Sequence, residues 1–260
     1  MTAQLKSHSV GQTLVLTLSN PEYRNALGPE IYSAGIEALN AAESNNDIRS
    51  VVITGEGAHF SAGGNLNRLL NNRQLPPEHQ AQSIEALHGW LETITTFPKP
   101  VLAAVEGAAA GAGFSLALTC DFLIAARNSV FVMAYSNVAL SPDGGGSWQL
   151  VRGLPRALVS QCLMLGEKIS AEQLLTHGLA NAISEPGQAL QTALSWAQRL
   201  NERAPNALCS IKELVNAAPN HSLFAHMALE KQHFVNNLHH PNAGVGIAAF
   251  LDKRPPQYKP

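Results

Sequence analysis

Short apolar runs alternate with amphipathic segments over the first 184 residues of this 260-residue chain. Runs rich in Val, Ile, Leu and Ala are typical of β-strands, and apolar residues spaced three or four apart are typical of helices. The predicted strands are residues 4–9, 13–18, 50–55, 100–106, 122–126 and 130–135, and the predicted helices are a segment from Pro29 onward, 81–95 and 111–118. Strands that alternate with helices in this order predict an α/β core.

The pattern changes after Ser184, where strand-like runs end and helix-length segments follow. These segments are residues 188–203, 206–217, 223–238 and 243–253, with Pro205, Pro219 and Pro241 at plausible helix starts. We therefore predict two regions, a core at 1–184 and a helical region at 185–260. Within the core, Pro76-Pro77 and many polar residues predict a mobile loop at 69–87.

Composition excludes several classes of function. The formal net charge of −2 gives no support for a nucleic-acid-binding surface. Gly, Pro or charged residues interrupt every apolar run well before the roughly 18 residues that a membrane span needs, and the N-terminal sequence does not resemble a secretory signal. Three cysteines without CxxC spacing predict buried thiols in a reducing compartment. We expect a cytoplasmic protein with neither a nucleic-acid nor a membrane partner.

The ten histidines do not point to a metal site. None has HExxH spacing, and His239-His240 lies in a polar turn before Pro241. We expect no metal ligands.

Two glycine-rich segments each follow a predicted strand and lead into helix-like sequence. They are His59-Phe-Ser-Ala-Gly-Gly-Asn65 and Glu106-Gly-Ala-Ala-Ala-Gly-Ala-Gly-Phe114. Small side chains let a ligand approach backbone N–H groups, and N–H groups at a helix N-terminus stabilise negative charge. Two of them converging on one oxygen would form an oxyanion hole, whereas each segment alone is explained equally well by a tight turn that needs glycine.

Five spaced motifs, taken in order, resemble those of the crotonase superfamily, the enoyl-CoA hydratase/isomerase family. They are Asn20-Pro-Glu-Tyr-Arg-Asn-Ala-Leu27, Phe60-Ser-Ala-Gly-Gly64, Lys99-Pro-Val-Leu-Ala-Ala-Val-Glu-Gly107, Gly111-Ala-Gly113 and Cys120-Asp121. The resemblance covers nearly the whole chain. It implies a spiral of repeated β-β-α turns, a C-terminal helical region that forms trimers, and an acyl-CoA thioester as substrate.

The resemblance also implies which N–H groups form the hole. The first donor falls on Gly64 and the second on Ala112, where alanine replaces the usual glycine but keeps its N–H. Alanine readily adopts the helical φ that this position needs. A thioester enolate is the oxyanion that such a pair would hold.

Family members that add water use two glutamates, and this chain has neither. The two positions hold Ser115 and Tyr135. Serine without a base cannot replace a carboxylate, and a tyrosine with a pKa near 10 is a poor base at neutral pH. Hydration by two glutamates is therefore not expected. Either residue could simply pack, with Tyr135 walling the acyl pocket.

One carboxylate remains at the implied site. Asp143 lies in Leu140-Ser-Pro-Asp-Gly-Gly-Gly146, before a helix start that carries Trp148. By itself this pattern is typical of an N-cap or a turn. Several family branches place a working aspartate here, and the segment is most similar to the phenylacetyl-CoA-pathway branch, which isomerises ring epoxides and enoyl-CoA. The resemblance implies that Asp143 is the proton-transferring base.

The remaining candidates are contacts to coenzyme A and other acids. By resemblance, Arg24 lies in the loop that contacts the adenine and phosphates, and Lys253 with Arg254 lies where a neighbouring subunit's nucleotide is contacted. The further candidate contacts to the substrate are Ala26, Ala62, Ser115, Tyr135 and Trp148. Lys253 could equally complement a helix dipole. Glu85, His88 and Glu92 are interpreted as solvated helix charges, Glu106 as a support for its loop, and Asp121 as a cap or packing contact.

The residues and the resemblance together predict an acyl-CoA isomerase that needs no separate cofactor. The resemblance implies a homotrimer or a dimer of trimers, and packing of the C-terminal helices within a monomer is the alternative that the sequence leaves open. An enoyl-CoA hydratase or acyl-CoA hydrolase of the same fold is the alternative, and a non-catalytic acyl-CoA-binding subunit is the second. The acyl group is left open.

Overall fold

The structure, a computed structural model, describes residues 3–259 of the chain. The outermost residues of the two predicted regions, 1–2 and 260, lie outside the described residues. A six-stranded sheet forms the centre, with strand order β1-β2-β3-β4-β6-β9. Its strands are β1 (Gln4–Val10), β2 (Thr13–Ser19), β3 (Ser50–Gly55), β4 (Val101–Val105), β6 (Phe122–Ala126) and β9 (Ala182–Ser184).

The first two strands form an antiparallel hairpin, and the others run parallel to β2. Gly11 turns this hairpin with a φ of +57°. A second sheet of three short strands contains β5 (Ala108–Ala110), β7 (Val130–Val132) and β8 (Lys168–Ser170). The chain therefore adds a strand to each sheet and then a helix, which is the predicted β-β-α spiral.

Eleven helices surround the sheets within residues 3–259. They are α1 (Pro29–Ser44), α2 (Leu66–Asn72), α3 (Pro77–Thr96), α4 (Ala112–Thr119), α5 (Gly146–Gly153), α6 (Arg156–Leu165), α7 (Ala171–Thr176), α8 (Ala189–Asn201), α9 (Pro205–Ala217), α10 (Leu223–Leu238) and α11 (Pro241–Leu251). Pro29, Pro205 and Pro241 occupy first turns as predicted, because a first-turn N–H has no helical acceptor to lose.

Both faces of the large sheet are buried, so its parallel strands are mostly apolar rather than alternating. On one face Ile53 packs in a core that contains Trp90 and Phe114. On the other face Val52 packs against the small side chains of α8. The residues of α8 in that contact are Ala189, Ala193 and Ala197. The first helix of the C-terminal region thus completes the core.

The later helices α9–α11 carry large apolar side chains into solvent. Phe224, Phe234 and Phe250 are exposed, and so are Val215 and Leu251. Within residues 3–259 no helix combines the length and apolar character needed to cross a membrane.

Several sequence predictions are wrong in detail. The predicted loop at 69–87 is largely helical, since α2 and α3 occupy it and Pro77 begins α3 four residues before the predicted start at 81. The strand predicted at 130–135 ends at Val132, and a 3-10 turn (Ala134–Val138) follows. The thiols are unpaired, but only Cys162 is buried, while Cys120 and Cys209 are partly exposed.

Candidate active site

The two glycine-rich loops pair with each other. Ser61 N donates to Ala108 O at 3.1 Å, and Ala110 N donates to Ser61 O at 2.9 Å, so the first loop runs alongside β5 as an extra strand would. Gly63 has a φ of +80°, and a Cβ there would lie 2.5 Å from Ala110 O. Glycine is therefore required at the point where the loops touch.

The peptide bond that carries the Gly64 N–H has a fixed direction. Its carbonyl, Gly63 O, accepts from Leu27 N at 2.7 Å. A trans peptide points its C=O and N–H in opposite directions, so Gly64 N–H points away from Leu27.

The Ala112 N–H is oriented in the same way, by the peptide bond between Gly111 and Ala112. Gly111 O accepts from Phe114 N at 2.9 Å and from Ser115 N at 3.0 Å, so the Ala112 N–H projects from the N-terminus of α4. Within residues 3–259, neither Gly64 N nor Ala112 N donates to a protein acceptor. The two donors are free to bind a developing oxyanion, and that role stays a prediction.

Asp143 lies beside the second loop. The Tyr135 hydroxyl donates to Asp143 Oδ1 at 2.6 Å, and the Ser115 hydroxyl donates to the backbone oxygen of Asp143 at 3.1 Å. A Cβ on Gly111 would lie 3.4 Å from the Tyr135 hydroxyl. The structure thus brings together Ser115, Tyr135 and Asp143, the three residues that the sequence singled out at this site.

The turn from Asp143 into α5 wraps tightly around Ser115. Gly144 and Gly145 have φ values of +58° and +72°. A Cβ on Gly146 would lie 2.6 Å from both the Ser115 hydroxyl and the end of Met133. A larger residue than serine at 115 would therefore displace the segment that carries the carboxylate.

Tyr135 is a neutral donor at this site. Burial and, next, the neighbouring Asp143 carboxylate raise the pKa of Tyr135 well above its ordinary value near 10. The hydroxyl therefore keeps its proton at neutral pH and can orient the carboxylate, but it cannot act as a base.

A second polar pair, Tyr32 and Arg68, lies near the same carboxylate, and no sequence pattern indicated it. Tyr32 is buried on the apolar face of α1, with its ring centroid 6.1 Å from that of Trp90. Burial raises the pKa of Tyr32, the Arg68 guanidinium opposes that shift, and Asp143 adds to it. Arg68 Nε is buried and has no hydrogen-bond partner among the described residues.

The predicted contacts to coenzyme A fall into two groups. Arg24 is exposed with a φ of 49°, its carbonyl accepts from Ala62 N at 2.8 Å, and Ala26 is buried two residues away. These three gather at the Gly64 loop. Lys253 is exposed at the end of α11, and no contact within residues 3–259 joins it to that group.

Trp148 lies on the outer part of α5. It is half exposed, and the guanidinium of Arg152 lies 3.6 Å from its ring centroid. Trp148 lines a cavity of about 420 Å³ together with Cys120 and Lys212. Its predicted contact with substrate stays a prediction.

The other acids have the structural environments expected for them. Glu85, His88 and Glu92 are exposed on α3. Glu106 accepts from Gly187 N at 3.0 Å and Ala189 N at 2.8 Å, where α8 begins. Asp121 accepts from Val101 N and pairs with Lys212. In the described part of the chain, no three His, Cys, Asp or Glu side chains gather as a metal ion would require.

A family model described as enoyl-CoA hydratase/isomerase matches residues 9–260. The chain belongs to the enoyl-CoA hydratase/isomerase family. Among curated members, a 1,2-epoxyphenylacetyl-CoA isomerase of Escherichia coli (strain K12) is 35% identical over 97% of both chains. A 2,3-dehydroadipyl-CoA hydratase of the same strain is 32% identical over 95% of both.

Solved structures of the family confirm the crotonase fold. An enoyl-CoA hydratase from Polaromonas sp. JS666 is 68% identical, covers 98% of this chain and 100% of its own, and superposes with a TM-score of 0.98. A Geobacillus kaustophilus HTA426 structure described as an enoyl-CoA hydratase subunit is 27% identical, covers 98% of both chains and has a TM-score of 0.92. Hydratase and isomerase names both occur among the relatives, so family membership supports acyl-CoA hydratase/isomerase chemistry without selecting one reaction.

Proposed function

We propose that this protein is an acyl-CoA isomerase that shifts a double bond, or rearranges a ring epoxide, with Asp143 as its base. The observation that carries the proposal is the Asp143 carboxylate, held by Tyr135 next to the loop that presents Ala112 N–H. A base beside an oxyanion-binding pair can remove a proton next to a thioester carbonyl, because the enolate oxygen is stabilised as it forms.

The double-bond shift needs one proton acceptor. Asp143 takes a proton from the α-carbon of a β,γ-enoyl thioester, and the electron pair spreads to a dienolate whose oxygen binds Gly64 N–H and Ala112 N–H. The carboxylic acid then returns the proton to the γ-carbon, which leaves the double bond between the α- and β-carbons. Substrate and product are isomers, so the reaction needs no redox cofactor.

The surroundings of Asp143 favour isomerisation over hydration. The Ser115 hydroxyl is already bonded to the backbone of Asp143, and Tyr135 is a neutral donor. Neither side chain can supply the second carboxylate that the family's hydratases use. The proposal is further supported by the similarity to the 1,2-epoxyphenylacetyl-CoA isomerase.

Hydration or hydrolysis with water activated by Asp143 is a second candidate. It is favoured by the hydratase names of other relatives, including the 2,3-dehydroadipyl-CoA hydratase. In that reaction Asp143 would deprotonate water instead of carbon, and the same two N–H groups would hold the thioester oxygen.

Turnover assays with Asp143→Asn test the proposal. The substrates are a straight-chain 3-enoyl-CoA, crotonyl-CoA and a ring-epoxide phenylacetyl-CoA, and Glu92→Gln is the matched control because Glu92 is an exposed carboxylate on α3. We expect the wild type and the control to isomerise a 3-enoyl-CoA or the ring epoxide, and Asp143→Asn to lose at least about 10²-fold in kcat, as for a general base.

Two results would overturn the assignment. Isomerisation that survives in Asp143→Asn would rule out this base, and efficient hydration of crotonyl-CoA by the wild type would favour the hydratase reading. Tight acyl-CoA binding without any turnover would indicate a non-catalytic binding subunit.

We also propose that the protein assembles as a homotrimer or a dimer of trimers. The exposed apolar side chains of α9–α11 support this, because exposed apolar surface of this kind is typical of an interface. Light scattering coupled to size-exclusion chromatography measures the mass directly. A monomeric mass at micromolar concentration would contradict the proposal.

A further inference from the structure

One fully buried hydroxyl, that of Ser61, lies where the two glycine-rich loops meet. Ser61 is 0% exposed, its Oγ donates to Asn25 O at 2.8 Å, and it accepts from Gly63 N at 3.1 Å. Gly63 is the residue before the Gly64 donor. The hydroxyl therefore fixes the N-terminal side of Gly63, while Leu27 N fixes its carbonyl.

The same residue contacts the second loop. A Cβ on Gly113 would lie 2.7 Å from Ser61 Cβ and 2.8 Å from both Ser61 O and Ser61 Oγ. Gly113 directly follows the Ala112 donor and tolerates this approach because it has no side chain. Ser61 thus contacts the neighbour of each donor and lies between them.

The acceptor of the Ser61 hydroxyl is itself rigidly held. Asn25 is buried with a φ of 56°, a left-handed backbone conformation that residues other than glycine adopt infrequently. Its amide donates to Glu56 O at 2.9 Å and to His59 O at 2.7 Å. Its side-chain oxygen Oδ1 accepts from Asn20 N at 3.0 Å. The hydroxyl of Ser61 is therefore anchored to a fixed point of the fold.

We infer that Ser61 is a positioning residue, which sets the spacing and direction of the Gly64 and Ala112 N–H groups through its hydroxyl. This role rests on the proposed function, because it presumes an acyl-CoA thioester whose carbonyl oxygen enters the hole. Without the hydroxyl, Gly63 N and Asn25 O lose their buried partners, and the first loop can rotate its donor away from the oxygen.

The test compares Ser61→Ala with Ser50→Ala in the full-length protein. Ser50 is also 0% exposed and shares a hydrogen bond with Thr13 at 3.0 Å, but at the opposite end of β3 from the donors. Losing a whole donor costs about 10²–10³ in kcat, so for a displaced donor we expect kcat on the proposed isomerase substrate to fall about tenfold or more, with KM nearly unchanged. Ser50→Ala should retain the wild-type kcat.

A spectroscopic readout reports the hole without turnover. Butyryl-CoA labelled at its thioester carbonyl carbon is bound to each protein, and the carbonyl stretch is measured by difference infrared spectroscopy. In the wild type and Ser50→Ala we expect a shift to lower frequency, since two N–H groups polarise the carbonyl. In Ser61→Ala we expect a clearly smaller shift of the carbonyl frequency than in the wild type. Ser61→Cys, whose sulfur is a weak acceptor, should lie between them and serves if Ser61→Ala does not fold.

The outcomes separate this role from the proposed reaction. A carbonyl shift that is reduced in Ser61→Ala supports the role even if the wild type isomerises nothing, in which case only the proposed reaction fails. An unchanged shift and an unchanged kcat in Ser61→Ala overturn the role. A wild type without any carbonyl shift overturns it as well, because no hole would exist for Ser61 to hold.

Discussion

The hydroxyl of Tyr135 donates a hydrogen bond to Oδ1 of Asp143 at 2.6 Å. Tyr135 lies in the 3-10 turn Ala134–Val138, and Asp143 directly precedes the glycines that lead into α5, so the bond depends on how residues 136–142 fold back. A protonated tyrosine in contact with a carboxylate orients the carboxylate and lowers its freedom to rotate. The relationship makes Tyr135 a testable partner of the proposed base.

Replacing this tyrosine with phenylalanine should slow the reaction without weakening binding. Tyr135→Phe keeps the ring and removes the donor to Asp143. A hydrogen bond to a charged group is worth about 1.5–3 kcal/mol, and losing part of it in the transition state should lower kcat about tenfold. Steady-state kinetics on the isomerase substrate measure this, and a KM rise with unchanged kcat would show that Tyr135 only shapes the pocket.

The raised pKa of Tyr135 predicts how stability changes in alkali. Below pH about 10 the side chain is protonated in both the folded and the unfolded state, so it makes no pH-dependent difference. Above that pH the unfolded tyrosine loses its proton while the folded one keeps it, because burial and Asp143 raise the folded pKa. The folded state is therefore destabilised as pH rises, by at most about 1.4 kcal/mol per pH unit from this group.

Urea unfolding at pH 8 and pH 10.5 measures that effect. The wild type should lose more stability between the two values than Tyr135→Phe, which cannot ionise at this position. Equal losses in the two proteins would mean that Tyr135 ionises as easily in the folded state as in the unfolded one.

Adding one methyl group at Gly63 should separate the two oxyanion loops. Gly63→Ala would place a Cβ 2.5 Å from Ala110 O and 3.1 Å from Ala112 N. We expect kcat to fall by on the order of 10²-fold, as for the loss of one oxyanion donor. Gly57→Ala is the matched control, since Gly57 has a similar φ of +74° with nothing within 4 Å of its Cβ position.

The control separates backbone strain from displaced donors. Both variants should lose about 1–2 kcal/mol of stability from the left-handed backbone, and chemical denaturation measures this loss. Only Gly63→Ala should also lose activity. Similar activity in the two variants would mean that the contact between the loops does not determine the positions of the Gly64 and Ala112 N–H groups.

Breaking the ion pair between Lys212 and Asp121 should strongly destabilise the fold. Lys212 Nζ lies 2.8 Å from Asp121 Oδ2, with side-chain exposures of only 10% and 19%. Lys212→Met leaves the buried carboxylate without its cation, which typically costs about 3–5 kcal/mol. Arg127→Met, which breaks exposed pairs with Glu172 and Glu185, is the control and should cost less than about 1 kcal/mol.

The Lys212→Met penalty should also depend on pH. Burial raises the pKa of Asp121, and Lys212 opposes that shift. Removing the lysine raises the pKa further, so the variant's deficit should shrink as pH falls and Asp121 takes up a proton. A deficit that is constant between pH 4 and pH 8 would attribute the loss to packing instead.

Most of the fold could be predicted from the sequence because its strands and helices carry local signals. The apolar run at Ser50–Gly55 and the proline that starts α1 each mark an element without reference to the rest of the chain. The prediction of a loop at 69–87 is wrong, since polar residues and a Pro-Pro pair are typical of a loop, whereas Pro77 begins a helix. That helix is stabilised by Trp90 and Ile94, which bury against the core.

The sequence by itself determined the family, the order of the elements and the residue types at the candidate site, including Asp143 and the absence of the hydratase glutamates. The elements follow from local composition and spacing, and the family and its site positions follow from the resemblance of motifs whose residues lie close together in the chain. Only the tertiary structure decided that Tyr135 bonds Asp143, that Ser61 lies between the two donors, and that Lys212 neutralises Asp121 from 91 residues away. Such contacts depend on where separate loops meet after the sheets have formed, and no local sequence pattern predicts them.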